Sequence, residues 1–294
     1  MPAEQRGRRA PDAVPRRSPP PSLPSPDPER PWPTRVTARR AWITLSSALP
    51  LLPRSPSPPT RVGDGVTFTV VAANLERGQR DPVAQAEALA ALDADVLLLT
   101  EHAAATRAAL EEAGLASTFP HQADDPSEWY FGSLVASRRP LLAADRRDLG
   151  GRPGQVVDID VAGIPVRLVP VHTQAPVHDR DVVTWHDGLV ANTGIGDDAP
   201  GPVILAGDWN ATGGHGAFRR ALSRHDLVDA SAVLGHRWYP TWPVDQPVYR
   251  LPLPPFLTLD HVVVSAGVEV VALERLALPG SDHRGLRATL RLPR

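Results

Sequence analysis

An α/β body with mixed sheets, packed as a layered sandwich behind a disordered N-terminal tail, is the fold class predicted by this 294-residue sequence. Three observations predict it. Proline density and charge change abruptly near Arg61. Beyond that point, β-branched strand runs alternate with alanine-rich segments of helical spacing. Two of the strand runs are also close enough in sequence to form a hairpin.

Sixteen of the 34 prolines lie in residues 1–60. That segment has ten arginines against four acids, a charge of +6, while the remainder has 21 against 29, a charge of −8. The net charge of −2 thus averages a basic tail and an acidic body. Proline-rich runs favour extended backbone and bury too little apolar surface to offset chain entropy. Residues 1–60 are therefore expected to be a disordered Pro/Arg-rich tail, and residues 61–294 one domain long enough for a single large core. Within the tail, Arg39 and Arg40 precede a mostly apolar run, so residues 39–52 resemble a weak signal for export or membrane-surface association. That run has about 12 residues, against about 20 needed to span a bilayer. An ordinary cytoplasmic tail is the alternative.

The elements of the body follow in order. Residues 66–73 are rich in β-branched side chains and form a strand ending at Asn74. Alanine at helical spacing predicts a helix over 81–92, and 95–99 is a short buried-strand run. Thr100 is expected to cap a helix over 101–113 that Gly114 stops. Strands are expected at 132–136, 155–161 and 166–171, the last two flanking Ala162-Gly163-Ile164-Pro165 as a hairpin. A helix near 182–191, a strand at 203–206 and a helix at 216–225 come next. Strands at 258–265, 268–276 and 286–292 complete the pattern.

Composition narrows the chemistry. All 31 basic residues are arginine, which removes P-loop phosphate binding and Schiff-base catalysis, and the absence of cysteine removes thiolate zinc sites and thiol nucleophiles. Neither Gly-x-Ser-x-Gly nor His-Glu-x-x-His occurs. What recurs instead is an acid, amide or imidazole where an apolar run stops: Asn74 and Glu76, Glu101, His172, Asp208 and Asn210, Asp260, and then Asp282 and His283. Singly, each has a plain structural role; an Asn that ends a strand is usually a turn residue, and a Glu that opens a helix complements its dipole. Together they form an oxygen and imidazole inventory suited to a hard divalent cation, Mg²⁺ or Mn²⁺, and to phosphate ester hydrolysis.

The ordered motifs Ala73-Asn74-Leu75-Glu76, Leu99-Thr100-Glu101, Pro170-Val171-His172-Thr173, Gly207-Asp208-Trp209-Asn210, Leu259-Asp260-His261 and Ser281-Asp282-His283-Arg284 resemble the endonuclease/exonuclease/phosphatase superfamily, the deoxyribonuclease I-like fold. The likeness covers most of residues 66–292. It implies a four-layered α/β/β/α sandwich, two mixed sheets flanked by helices, with the active site across its top. It also implies roles: Glu101 as principal metal ligand with Glu76 and Asp282, and Asn74 helping to place them. Asp208 orients the attacking water, Asn210 and His283 bind phosphoryl oxygens, Asp260 holds the imidazole of His283, and His172 protonates a leaving oxygen or binds phosphate. Glu76 departs from the family's more usual aspartate.

The substrate is expected to be a phosphodiester or phosphomonoester, and the protein a monomer. Nucleic acid is one alternative, although the acidic body lacks the basic surface that duplex binding requires. The segment around Gly207-Asp208-Trp209-Asn210-Ala211-Thr212 and Thr241-Trp242-Pro243 resembles a bacterial branch, some of whose relatives act on lipid-linked phosphates, so a polyprenyl pyrophosphate at a membrane surface is another. Residues 238–256 are a candidate substrate-side loop or an apolar lid. A non-catalytic binding scaffold is the last alternative.

Overall fold

The computed structural model describes residues 65–236, 238–245 and 253–293. The expected tail over 1–60 and its apolar segment 39–52 lie outside the described residues, as does the middle of the 238–256 segment. The chain runs β1 (Val66–Asn74), α1 (Pro82–Ala90), β2 (Val96–Thr100), α2 (Ala104–Glu112), α3 (Leu115–Thr118), β3 (His121–Asp125), β4 (Ser133–Ser137), β5 (Leu141–Asp148), β6 (Pro153–Val161), β7 (Ile164–His172), α4 (Asp179–Gly194), β8 (Val203–Asp208), α5 (Gly216–Arg224), β9 (Leu227–Asp229), α6 (Ala230–Val233), β10 (Asp260–Ser265), β11 (Glu269–Leu276) and β12 (Gly285–Leu292). One sheet has the order β11-β12-β1-β2-β4-β3 and the other β5-β6-β7-β8-β10-β9. Each mixes parallel and antiparallel pairs: β1·β2 and β7·β8 are parallel, their neighbours antiparallel.

Side chains alternate faces along a strand, so a run that is apolar at every position must be covered on both sides. That is the case here. Val70, Ala72, Leu98, Leu168, Ile204, Ala206 and Val262 meet in one core between the sheets. Val71, Ala73, Leu97 and Leu99 face the other way, against Leu89 of α1 and Leu110 of α2. Val169, Val171, Leu205 and Val263 pack under Trp185 of α4 and Phe218 of α5. Helix, sheet, sheet and helix layers result, as expected. None of the described helices is long and apolar enough to cross a membrane.

Local chemistry sets several boundaries. Asp81 caps α1 through Oδ1, which accepts from Ala84 N at 3.0 Å, with Pro82 at the first helical position. The β6–β7 hairpin turns on two residues, Ala162 and Gly163, both at positive φ, with Ile164 and Pro165 already in the strand. One expectation is corrected. Thr100 does not cap a helix over 101–113; it is the last residue of β2, Glu101 follows at a left-handed φ of 51°, and α2 starts at Ala104. Thr106 supplies the local bond instead, its Oγ1 accepting from Ala103 N at 2.8 Å.

His261 is the neighbour of Asp260 in sequence but faces the opposite side of β10, among the α5 contacts, with Phe218 at 4.7 Å. Its Nδ1 lies 3.0 Å from Asp229 Oδ2 and its Nε2 2.8 Å from the carbonyl oxygen of Ala211, so both ring nitrogens meet acceptors and the ring is held as a cation. Burial opposes that charge, but Asp229's charge and hydrogen bonds raise the His261 pKa overall. Burial likewise opposes ionised Asp229, yet His261 and Ser231 hold its pKa below the ordinary carboxylate value.

Two predictions follow from packing. Gly207 has φ 142°, and an added Cβ would sit 2.3 Å from the carbonyl oxygen of Val171. Gly207→Ala should therefore lose at least about 2 kcal/mol in urea unfolding; a loss within about 0.5 kcal/mol, the usual scale of a neutral substitution, would show the strand junction to be pliable. The Asp229–His261 pair should make stability pH-dependent in two directions. The histidine contribution is full below its ordinary value of 6.5 and is lost as pH rises through the raised folded value. That of the aspartate is full above 3.8 and is lost as pH falls through the depressed one. The stability gap between the native chain and Asp229→Asn should thus peak between those limits and shrink in alkali; a gap constant across the whole range would refute the pairing as a source of stability.

Candidate active site

The face that lines the inter-sheet core inward also carries the polar residues at one end of the sandwich. Counting in twos from Val70, Leu168, Ile204 and Val262 reaches Asn74, His172, Asp208 and Asp260. Strand register then sets them side by side. His172 is the partner of Asp208 across β7·β8, Asp260 is the partner of Asp208 across β8·β10, and Asn74 is level with Thr100 across β1·β2. The β1·β2 ladder continues one step further, Leu75 N donating to Thr100 O at 2.9 Å and Arg77 N to Glu101 O at 3.1 Å, which keeps Glu101 beside Glu76.

Backbone conformation marks the same places. Glu76, Arg77, Glu101 and Asn210 all have φ between 45° and 56°, a left-handed region uncommon for residues with a side chain and typical of functional strain.

Asp208 lies at the centre, 2 % exposed. Its Oδ1 accepts from Asn210 N at 2.8 Å. Its Oδ2 lies 3.4 Å from Asn74 Nδ2, 3.6 Å from His283 Nε2 and 3.8 Å from His172 Nε2. Burial raises its pKa despite the favourable charge of His283. Asn74 spans the two halves, since Nδ2 also donates to Glu101 Oε1 at 2.9 Å while Oδ1 accepts from Glu76 N at 2.9 Å. His172 Nδ1 donates to the Tyr130 carbonyl at 2.7 Å, which turns Nε2 toward Asp208 and toward Glu101, 3.7 Å away. Asn210 Nδ2 donates one hydrogen to Thr173 O at 2.9 Å and keeps a second.

His283 is buried with Nδ1 2.8 Å from Asp260 Oδ2. Burial disfavours its charge, but Asp260, Asp208 and Asp282 raise its pKa well above 6.5. The acids Asp208 and Asp260 with His283 also have ligand atoms within 4.8 Å of one another, a spacing that could hold a metal ion.

A second acidic group consists of oxygens only. Glu76 is pushed up to about 7 by burial and then by the charge of Asp282, with Arg80, whose Nε is 3.1 Å from its Oε2, opposing. Glu101 is raised by burial foremost, with Asp282 adding to it. Glu76 and Glu101, both hindered in ionising by the nearby charge of Asp282, make with it a donor set that a hard divalent cation fits.

Three supporting residues had no role in the sequence reading. Thr241 is fully buried, and its Oγ1 accepts from Leu259 N at 3.1 Å and Asp260 N at 3.2 Å. Ser281 Oγ donates to Asn74 O at 2.7 Å and accepts from His283 N at 3.0 Å, tying the segment before β12 to the end of β1. Trp242 Nε1 donates to Asp282 Oδ2 at 3.1 Å. Of these, Thr241 and Trp242 lie in the candidate substrate-side segment and Ser281 opens the last strand-end motif, but nothing in strand or helix periodicity assigns any of them a role.

The profile of the Endonuclease/Exonuclease/phosphatase family matches residues 71–283. No curated protein matches the chain in sequence. Among solved structures, D. rerio TDP2 complexed with single strand DNA product has a TM-score of 0.60 at 15% identity, covering 76% of this chain and 98% of that one. An endonuclease/exonuclease/phosphatase protein from Beutenbergia cavernae DSM 12333 has a TM-score of 0.59 at 20% identity, covering 78% and 72%. Sphingomyelinase C from Streptomyces griseocarneus has a TM-score of 0.56 at 19% identity, covering 76% and 99%. At these identities the structural likeness establishes the fold, and the family profile, which spans most of the described body from before Asn74 to His283, establishes the rest: the chain belongs to the endonuclease/exonuclease/phosphatase family and is a phosphoester hydrolase.

Proposed function

We propose that the chain is a divalent-metal-dependent phosphoesterase that hydrolyses a phosphodiester or phosphomonoester by in-line attack of a water oriented by Asp208. The observation that carries this reading is the placement of a buried carboxylate of raised pKa between a histidine held cationic and a group of crowded acids. Glu101, Glu76 and Asp282 would hold Mg²⁺ or Mn²⁺, with Asn74 fixing Glu101. We prefer this group to Asp208, Asp260 and His283 for the cation because Asp260 and His283 already engage each other, and an imidazole kept protonated has no lone pair on Nε2 to give a metal. When bound, the cation polarises a phosphoryl oxygen and neutralises developing charge.

The side chains of the protein do the remaining work. Asp208 Oδ2, facing the donors of Asn74, His283 and His172, positions the water and takes its proton. His283, kept charged by Asp260, presents Nε2–H to a phosphoryl oxygen, and Asn210 adds its second amide hydrogen. His172, its Nδ1 fixed on Tyr130, offers Nε2 to the leaving oxygen.

Nucleic acid is a second reading, favoured by the DNA product bound in the D. rerio TDP2 structure. A lipid phosphate is supported by the likeness to the Streptomyces sphingomyelinase. Activity on plasmid DNA, single-stranded RNA, a nitrophenyl diester and a polyprenyl pyrophosphate, with and without EDTA, separates them.

Glu101→Ala and Asp208→Asn should each lower kcat by at least about a thousandfold, the several kcal/mol that one such group supplies, with circular dichroism unchanged. Turnover retained in either variant would sink the assignment. EDTA should abolish activity on every substrate, and Mg²⁺ or Mn²⁺ should restore it; full activity in EDTA would remove the cation from the reading.

A further inference from the structure

Three of the described arginines differ from the others in the body by a buried guanidinium Nε that has no hydrogen-bond partner. Arg138, Arg139, Arg147, Arg167 and Arg291 each lie within 2.8–2.9 Å of a carboxylate oxygen. Arg77, Arg152 and Arg284 are half-buried and make no ion pair with any described carboxylate. In each the guanidinium Nε is buried without a hydrogen-bond partner, and among the described residues these are the only arginine Nε atoms in that state.

Arg77 and Arg152 approach the catalytic residues, and Arg284 adjoins one of them in the chain. Arg77 follows Glu76, held at a left-handed φ of 56°, and its guanidinium lies 5.0 Å from the ring centroid of Tyr130, the residue whose carbonyl fixes His172. Arg152 lies 4.5 Å over Phe131, which is 5.5 Å from the His172 ring, and the three side chains line one small cleft. Among the described residues the only bond from the Arg152 guanidinium is to a neutral amide, Nη2 donating to Gln174 Oε1 at 2.7 Å. Arg284 follows His283, and its backbone N donates to the carbonyl of Thr241 at 2.9 Å.

A half-buried guanidinium without a counter-charge is unfavourable, and an aromatic face offsets only part of that cost. The acidic body has carboxylates to spare, yet these positions are left without them. Planar guanidinium groups suit phosphate in particular. The scissile phosphate already has its own partners in His283, Asn210 and the cation held by Glu101. Further cations call for further negative charge on the substrate.

We propose that Arg77 and Arg152 form a recognition rim for a second phosphate beside the scissile one, so that the preferred substrate is a polyanion and not an ester of a neutral or cationic alcohol. This rests on the phosphoesterase reading. The second phosphate comes either from a nucleotide chain or from a pyrophosphate, and two substrate pairs separate these sources. Thymidine 5′-(p-nitrophenyl phosphate) is compared with its 3′-phosphorylated form, and geranyl phosphate with geranyl pyrophosphate, using the full chain with Mg²⁺.

The second phosphate should raise kcat/KM by about tenfold or more in one pair, the scale of a hydrogen bond between charged groups. Arg77→Gln and Arg152→Gln should each reduce that selectivity ratio, flatten its dependence on salt, and be partly rescued by lysine at the same position. A measurement that needs no variant runs beside these: thymidine 3′,5′-bisphosphate should inhibit more tightly than thymidine 5′-monophosphate. Ratios near one in both pairs with the native chain, or ratios unchanged in the glutamine variants, would overturn the rim. Absence of turnover on all four esters would instead bring down the phosphoesterase reading and this inference with it.

Discussion

A carboxylate removed from water at the end of an apolar core, that of Asp208, is the group around which the site is organised. Taking an ionised acid out of water costs several kcal/mol unless donors and opposite charges replace the solvent. Asn210 N–H, the Asn74 amide and two histidines occupy those places. They compensate incompletely, and the raised pKa of Asp208 expresses the remainder. In the proposed reaction that is a useful state for Asp208, because it stays basic enough to accept a proton while its partners keep it oriented.

The partners reach Asp208 only because both sheets are covered on both faces. Double coverage makes the inter-sheet core continuous along each strand, and the same period of two that fills it with Val, Leu and Ile delivers Asn74, His172, Asp208 and Asp260 to its end. Gly207 lets β8 pass the Val171 carbonyl at a distance no side chain would tolerate. Left-handed backbone at Glu76, Glu101 and Asn210 then re-aims side chains that regular strand geometry would have carried elsewhere. The structure therefore builds precision from regular elements and departs from regularity at the site as well as in its turns.

The legibility of the fold varied with burial. Central strands such as β1, β2, β7, β8 and β10 were plain as apolar runs because they are buried on both faces. β3, β5 and β9 were not anticipated, and all three are edge strands. Leu141–Asp148 exposes most of its side chains and His121–Asp125 buries none fully, so neither carries the apolar run or the β-branched residues of a central strand, and pairing with one neighbour is what makes them strands. The helix after β2 was misplaced for a related reason. Glu101 and His102 favour helix locally, but both are buried and drawn into tertiary contacts: Glu101 to Asn74, and His102 to Thr106 and Asp124.

For the site, the amino-acid sequence by itself determined the inventory: which acids, amides and imidazoles stand where apolar runs stop, and that no lysine or cysteine chemistry is available. It did so because strand ends are local features, readable from a few neighbouring residues. Tertiary structure alone decided which of those groups meet. Asp260 and His261 are adjacent in the chain, yet one turns to His283 in the site and the other to Asp229 beneath a helix, since neighbours on a strand face opposite ways. Thr241 and Ser281 brace Asp260 and Asn74 from distant loops, and Arg77 and Arg152 reach Tyr130 and Phe131 beside His172 from two further segments. Register, crossing loops and burial are non-local, and no window of sequence contains them.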